Sequence, residues 1–153
     1  MHPARDLLRH TLATIAYRAD HALRGAPDGF ASCRAAAGSW SAVQVLAHMG
    51  DLFDWSLSLA RGRQEWRVSE PLPWEQEVKR FFTSLAAFDA YLAADTVLGV
   101  PPLKLLQGPI ADALAHTGQI AMLRRVAGAP VGDVNYFRAE ISIGQCGPSR
   151  GSA

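Results

Sequence analysis

Cysteine is scarce in this sequence, long apolar runs and a basic stripe are absent, and each of these observations excludes a class of protein. The two cysteines, Cys33 and Cys146, are too few for a disulfide scaffold and are not spaced like a metal-binding knuckle. No run of ~18 apolar residues is present, so we expect no membrane-spanning helix. The 15 lysines and arginines are balanced by 14 acids, and no basic stripe indicates a nucleic-acid-binding surface.

The first residues also lack the basic-then-apolar order of a secretory signal. We therefore expect a cytoplasmic protein with reduced thiols, whose partners include neither nucleic acid nor a membrane. Apolar residues, in contrast, make up 49% of the 153 residues. That content can fill the core of one domain, which we expect to span residues 1–153 with a loose Gly/Ser-rich end at about 145–153.

Four amphipathic segments are separated by stretches rich in glycine and proline. In the first, from Arg5 to about Leu23, apolar residues recur every three or four positions and define one helix face. The second begins at Ser39 or Ser41, either of which can cap it, and runs to about Arg61. The third has the clearest pattern, a bundle seam formed by Trp74, Val78, Phe81, Leu85, Phe88 and Leu92.

The fourth helix is predicted from Pro109 to Val126, because the missing N–H of proline is tolerated at the first helical position. A short helical turn is also expected near residues 103–106. Four helices of this kind predict an all-α four-helix bundle. The long linkers 62–73 and 95–107 leave room for a crossover connection, so a simple up-down-up-down order is not required.

Three polar residues stand on helix faces that should be buried. His48 lies between the two apolar stripes of the second helix, whereas Asp112 and His116, four residues apart, share one face of the fourth. Two imidazoles and a carboxylate can fill three positions around a divalent ion and leave a fourth for water or substrate. Nitrogen and oxygen donors without thiolate suit Zn, Ni, Fe or Mn. Two plainer interpretations remain, a hydrogen-bonded i,i+4 pair and an acid placed to favour the helix dipole.

Two motifs resemble a known family. Residues 40–51, WSAVQVLAHMGD, resemble the second-helix signature of the DinB/YfiT-like family of metal-dependent enzymes, and residues 112–120, DALAHTGQI, resemble its fourth-helix motif. The likeness covers nearly the whole chain, including helix order and tail. It implies an up-down-down-up four-helix bundle, a homodimer, and one metal ion held by His48, Asp112 and His116. From the donor chemistry, zinc is the first candidate for that ion, with nickel, iron or manganese as alternatives.

The sequence departs from the family at one of these ligands. The usual pattern has three histidines, and Asp112 stands at the middle position. A carboxylate still binds metals, so the resemblance implies either a modified centre or a degenerate one. The implied activity is a thiol S-transfer that uses a low-molecular-weight thiol, or a hydrolysis, on a small-molecule substrate. The alternative is a non-enzymatic helical bundle that binds a small molecule or forms a dimer.

Three further residues are candidate helpers, each with a plainer alternative. Gln119 could orient His116 or be a surface amide. Asp51 could accept a hydrogen bond from His48 or be an exposed acid. Tyr136 could fold over the centre from the tail or simply pack against the bundle. In a hydrolase, Asp51 or Tyr136 would handle the proton, but the sequence contains no obvious strong base, which favours thiol chemistry.

Overall fold

The computed structural model describes residues 2–149, which form four long α-helices, one short α-helix and a 3-10 turn at Phe30–Ser32. The helices are α1 (Pro3–Leu23), α2 (Ala42–Ala60), α3 (Trp74–Ala93), α4 (Pro102–Leu105) and α5 (Ala111–Val126). This range contains no strand, only an isolated antiparallel bridge between Arg34 and Ser41. The all-α prediction is confirmed for these residues. None of their helices combines the length and the apolar character that a membrane crossing needs.

Local sequence explains where two of the helices begin. Ser41 caps α2 in a reciprocal box, in which its N–H donates to Gln44 Oε1 (2.9 Å) and the N–H of Gln44 donates to Ser41 Oγ (3.4 Å). Ser41 is therefore the cap, and Ser39 is not. The fourth long helix, α5, begins at Ala111 and not at the predicted Pro109. A π-helical segment, residues 106–110, precedes it, because a kink at Gly108 (φ −92°, ψ −107°) and the following proline interrupt the regular hydrogen bonds.

The four long helices pack in a ring in the order α1, α3, α2, α5. The first helix, α1, contacts α3 and α5, and α2 contacts the same two, so α1 and α2 lie on a diagonal. The connections 24–41 and 94–110 therefore join helices across a diagonal, whereas 61–73 joins neighbours. Diagonal connections have to be long, since short loops join only neighbouring helices. This accounts for the length of 94–110 but not for that of 61–73.

The predicted apolar faces form the core. Every position of the predicted α1 face is buried, and the α3 seam is buried or partly buried against it. The second helix adds Leu46, Met49 and Phe53, each at most 1% exposed. Two apolar residues of α5, the fourth long helix, are exceptions. Leu114 and Val126 are exposed, because the first lies off the buried face and the second is the last residue of α5.

The predicted loose end of the chain is only partly within the described range. Cys146 in the segment 145–149 is 3% exposed and belongs to the core cluster. Burial and the negative charge of Asp89 raise the pKa of its thiol to about 12, although the nearby Arg9 opposes this. The rest of the predicted loose end, residues 150–153, lies outside the described residues.

Candidate metal centre

His48 of α2 meets Asp112 and His116 of α5 where the two helices pack together. His48 Nε2 lies 3.4 Å from Asp112 Oδ2, and His116 Nε2 lies 3.4 Å from Asp112 Oδ1. One potential ligand atom of each residue lies within 4.8 Å of the other two. The imidazole rings approach edge to face, with centroids 4.8 Å apart. The three residues predicted as ligands therefore form a single cluster, which we call the His–Asp cluster.

Two of the distances between donor atoms are close to those around a divalent ion. Two ligand atoms bound about 2.0–2.1 Å from a tetrahedral zinc ion lie about 3.3 Å apart. Each histidine lies 3.4 Å from Asp112, but from a different oxygen of its carboxylate, and the donor atoms of the whole set lie within 4.8 Å of one another. The three side chains would therefore have to move closer together around a bound ion. Within residues 2–149 the cluster has no fourth protein ligand, so a bound ion would keep one position open for water or a substrate.

Gln119 fixes the orientation of His116. His116 Nδ1 lies 2.7 Å from Gln119 Oε1. An amide oxygen only accepts hydrogen bonds, so Nδ1 carries the proton and donates it. The lone pair of the neutral ring is then on Nε2, the atom that faces Asp112. This contact supports the predicted orienting role of Gln119, because metal-binding histidines generally donate their other N–H to such an acceptor.

The His–Asp cluster is more open than the sequence predicts. The side chains of His48 and His116 are 19% and 14% exposed, but that of Asp112 is 48% exposed. The expectation of a buried carboxylate is therefore wrong, because Asp112 lies in the first turn of α5, on the solvent side of the contact with α2. A solvated carboxylate carries little desolvation cost. The geometry accommodates simple Asp–His pairs as well as metal binding.

Asp51 is buried, but its hydrogen-bond partners do not include His48. Its carboxylate accepts hydrogen bonds from the N–H (3.0 Å) and hydroxyl (2.7 Å) of Ser69 and from Arg80 (3.0 Å). With 5% exposure it is not a surface acid either. Both sequence interpretations of Asp51 thus differ from the structure, because the partners that satisfy it come from the linker 61–73 and from α3.

Arg80 pairs with several acidic side chains close to the His–Asp cluster. It donates hydrogen bonds to the side chains of Glu77 (2.5 Å), Asp51 (3.0 Å) and Asp54 (3.2 Å) and to the carbonyl of Ala47 (2.7 Å). Burial opposes the charge of Arg80, but the hydrogen bonds and charges of Glu77 and Asp51 outweigh it. Together they raise the pKa of the guanidinium above its ordinary value.

This Arg80 network holds the linker 61–73 against the cluster. Ser69 and Leu72 both donate backbone N–H groups to its buried carboxylates. The linker held in this way places Trp66 edge-on to His48, with ring centroids 5.6 Å apart. Sequence reasoning missed the role of Arg80, and the available signal was its spacing of three from Glu77 on α3.

Tyr136 lies on the opposite side of α5 from the His–Asp cluster. Its ring packs edge-on against Tyr17, with centroids 6.2 Å apart, and the guanidinium of Arg18 lies 3.8 Å from its centroid. It lines a surface cavity together with Thr117 and Ala121, which face away from the cluster on the helix. The predicted folding of Tyr136 over the centre is therefore wrong, and packing against the bundle is what the structure shows.

Trp40 stands between the two histidines at the surface of the cluster. Its ring centroid lies 5.0 Å from that of His48 and 6.1 Å from that of His116. A cavity of about 410 Å³ lies on the His116 side, and another of about 300 Å³ lies on the His48 side. Trp40 lines both. Cavities of this size accept small organic molecules, so a ligand can lie directly beside the cluster.

Compared with known proteins, the chain significantly matches no protein-family model, no curated protein and no solved structure. The likeness to DinB/YfiT-like proteins therefore rests on the motifs at residues 40–51 and 112–120 and on the order of the helices. What the protein does is inferred from the His–Asp cluster and its surroundings.

Proposed function

We propose that this protein is a metal-dependent enzyme of the DinB/YfiT-like type that acts on a small molecule. The observation that carries the proposal is the meeting of His48, Asp112 and His116, with donor atoms within 4.8 Å of one another. The hydrogen bond from His116 to Gln119 supports it, since it directs the free lone pair into the cluster. Membership of this type would also give the bundle an up-down-down-up order and make the protein a homodimer.

The His–Asp cluster would hold the ion, with zinc as the first candidate and nickel, iron or manganese as others. Such an ion lowers the pKa of a water or thiol beside it and so supplies a nucleophile at neutral pH. The chain itself orients the donors. Gln119 keeps the proton of His116 on Nδ1, and Trp40 and Trp66 pack against the ring of His48 and restrict its movement.

Thiol S-transfer is better supported than hydrolysis. In the transfer, the sulfur of a low-molecular-weight thiol forms a bond to an electrophilic carbon, the thiol proton is released, and the leaving group departs with its electron pair. No separate base is needed once the thiol is ionised. Hydrolysis needs a group that takes and returns a proton. The two candidates are engaged elsewhere, Asp51 with Ser69 and Tyr136 on the far side of α5.

Metal content tests the proposed centre. Protein purified without a His tag should contain close to one metal ion per chain, and His48→Ala and His116→Ala should each abolish it. His10→Ala is the matched control, because His10 is an exposed histidine on α1. Metal-free protein whose stability responds neither to added zinc nor to a chelator would contradict the proposal.

Thiol consumption tests the proposed reaction. The metal-loaded protein should accelerate the reaction of a low-molecular-weight thiol with a chlorinated nitrobenzene, forming the thioether and releasing chloride. Chelation or His116→Ala should return the rate to that of the uncatalysed mixture. Thiol consumption that survives chelation, or a rate equal to the uncatalysed one despite full metal loading, would contradict a metal-dependent transferase.

A non-enzymatic bundle with a degenerate centre is the second candidate, and one observation favours it. Asp112 is 48% exposed and already lies 3.4 Å from each histidine, so an imidazolium that donates from Nε2 can pair with its carboxylate without an ion. The protein would then act by binding a small molecule or a second copy of itself. The metal-content measurement separates the two candidates, because only the first requires a bound ion.

A further inference from the structure

The cavity on the His116 side, which we call the apolar cavity, has no arginine, lysine or carboxylate among the residues that line it. Its apolar wall comes from the loop before α2, from α2 and from α5, and it includes Trp40, Val45, Met122 and Leu123. Its polar members include Gln119 and His116, at the end next to the His–Asp cluster. The apolar cavity therefore opens directly onto the candidate metal centre.

The cavity on the other side of Trp40 has a different character. It is lined by the carboxylates of Asp51 and Glu70 beside His48. A ligand that contains both apolar and polar parts would therefore place the apolar part on the His116 side. In the metal-free protein, a charged group placed against the apolar wall would lose part of its hydration without gaining a counter-ion from the residues that line the cavity, which is unfavourable.

The wall of the apolar cavity exposes large apolar side chains to water. Trp40 is 49% exposed and Met122 is 55% exposed. Removing such surface from water is the main favourable term in binding apolar ligands. A flat aromatic ring suits this wall, because it can stack on an indole and contact a thioether sulfur.

The size and the polar end of the cavity restrict its ligand further. A cavity of about 150 Å³ holds benzene, whereas the apolar cavity measures about 410 Å³, so it has room for two fused rings. Gln119 accepts from His116 through Oε1, and its amide NH₂ makes no hydrogen bond to the part of the chain that the structure describes. That NH₂ can donate to an acceptor on the ligand.

We propose that the apolar cavity binds an uncharged aromatic group of one or two rings that carries a hydrogen-bond acceptor. The ring lies against Trp40 and Met122, and the acceptor receives a hydrogen bond from Gln119. Because His116 lines the same cavity, a substituent of the ring reaches the His–Asp cluster. Assigning this group as the electrophile of a thiol transfer rests on the proposed function, whereas binding in the cavity does not require a metal.

Equilibrium dialysis of the metal-free full-length chain tests the proposal with two probes that share one ring. The first, 4-nitroanisole, is uncharged and has acceptors, and the second, 4-nitrobenzoate, carries a negative charge. We expect saturable binding of 4-nitroanisole at least about tenfold tighter than that of 4-nitrobenzoate, because the cavity offers no counter-ion. Absence of saturable 4-nitroanisole binding, or equal affinity for both probes, would overturn the proposal.

A pair of variants locates the bound ring. Met122→Glu places a carboxylate in the apolar cavity and should weaken 4-nitroanisole binding at least about tenfold. Val126→Glu is the matched control, since Val126 lies one turn further along α5, is 53% exposed and does not line the cavity. It should bind the probe like the wild type. Equal effects of the two substitutions on 4-nitroanisole binding would place the ring elsewhere and overturn the proposal. The comparison of 4-nitroanisole with 4-nitrobenzoate uses the wild-type protein, so it tests the proposal even if a variant fails to fold.

The metal content of the same preparations distinguishes the two proposals. Protein that binds 4-nitroanisole selectively but takes up no metal would retain the cavity assignment and overturn the metal-dependent function. Protein that holds a metal ion but does not bind 4-nitroanisole would retain the metal-dependent function and overturn the cavity assignment.

Discussion

Asp51→Ala should destabilise the protein strongly, because Asp51 is a buried member of the Arg80 network. It is 5% exposed and accepts hydrogen bonds from Ser69 and Arg80. Removing one partner of a buried ion pair costs about 3–5 kcal/mol. Arg80 is 19% exposed and keeps Glu77 at 2.5 Å, so we expect the lower end of that range, about 3 kcal/mol.

Asp54→Ala is the matched control, because Asp54 pairs with the same guanidinium at 3.2 Å but is 59% exposed. Exposed ion pairs contribute at most about 1 kcal/mol. Urea unfolding followed by circular dichroism gives both free energies directly. For a chain of this size, about 3 kcal/mol corresponds to a fall in Tm of about 6–12 °C. If Asp51→Ala costs no more than Asp54→Ala, the reasoning about burial is refuted.

A second measurement separates this structural role from a role at the candidate metal centre. Asp51 does not hydrogen-bond to His48, so folded Asp51→Ala protein should keep its metal content. The linker 61–73 should become mobile, however, and the fluorescence of Trp66 beside His48 should change. Loss of the metal from protein that is still folded would mean that Asp51 orients His48 after all.

Three further predictions concern other parts of the molecule. Gly99→Ala should lower the free energy of unfolding by about 1–3 kcal/mol, because a Cβ there would collide with the backbone of Gly62. The control Gly118→Ala lies in open space on α5 and should raise that free energy by about 0.5–1 kcal/mol in the same urea titration. Asp112→His should bind zinc more tightly than the wild type in competition with a chromogenic chelator, and Asp112→Ala more weakly, since zinc favours imidazole nitrogen; unchanged affinities would show that this position does not ligate. Because the pKa of Cys146 is raised to about 12 by burial, the stability that its neutral thiol contributes is present at pH 8 and falls as the pH rises from about 9 through about 12. The destabilisation caused by Cys146→Ala should therefore shrink over that range, and a pH-independent difference would contradict the assignment.

Much of the fold was predictable because helix formation depends on residues three or four positions apart. The apolar steps of α1 and the seam of α3 appear in the core as the periodicity predicts. The capping box at Ser41 is equally local. Errors occurred where local rules compete, as at Pro109, where a favourable first helical position lies directly after the kink at Gly108.

The candidate centre was predictable in part. The shared face of Asp112 and His116 follows from their spacing on one helix. Their meeting with His48, which is 64 residues from Asp112, does not follow from any local rule. The chemistry of three polar residues on faces predicted to be buried suggested it, and the resemblance of two separate motifs made it the favoured interpretation. The contact between Gln119 and His116 could be anticipated because it lies within one turn of the same helix.

The four long helices, their apolar faces and the pairing of Asp112 with His116 follow from local sequence, because each depends on neighbours within one or two turns. The contact between Arg80 and Asp51 and the position of Tyr136 behind α5 arise only when the helices pack together. The exposure of Asp112 and the apolar cavity beside His116 arise in the same way. The physical reason is common to all four: each depends on how two segments distant in the chain are rotated against one another. Many side chains fix that rotation jointly, and no single segment encodes it.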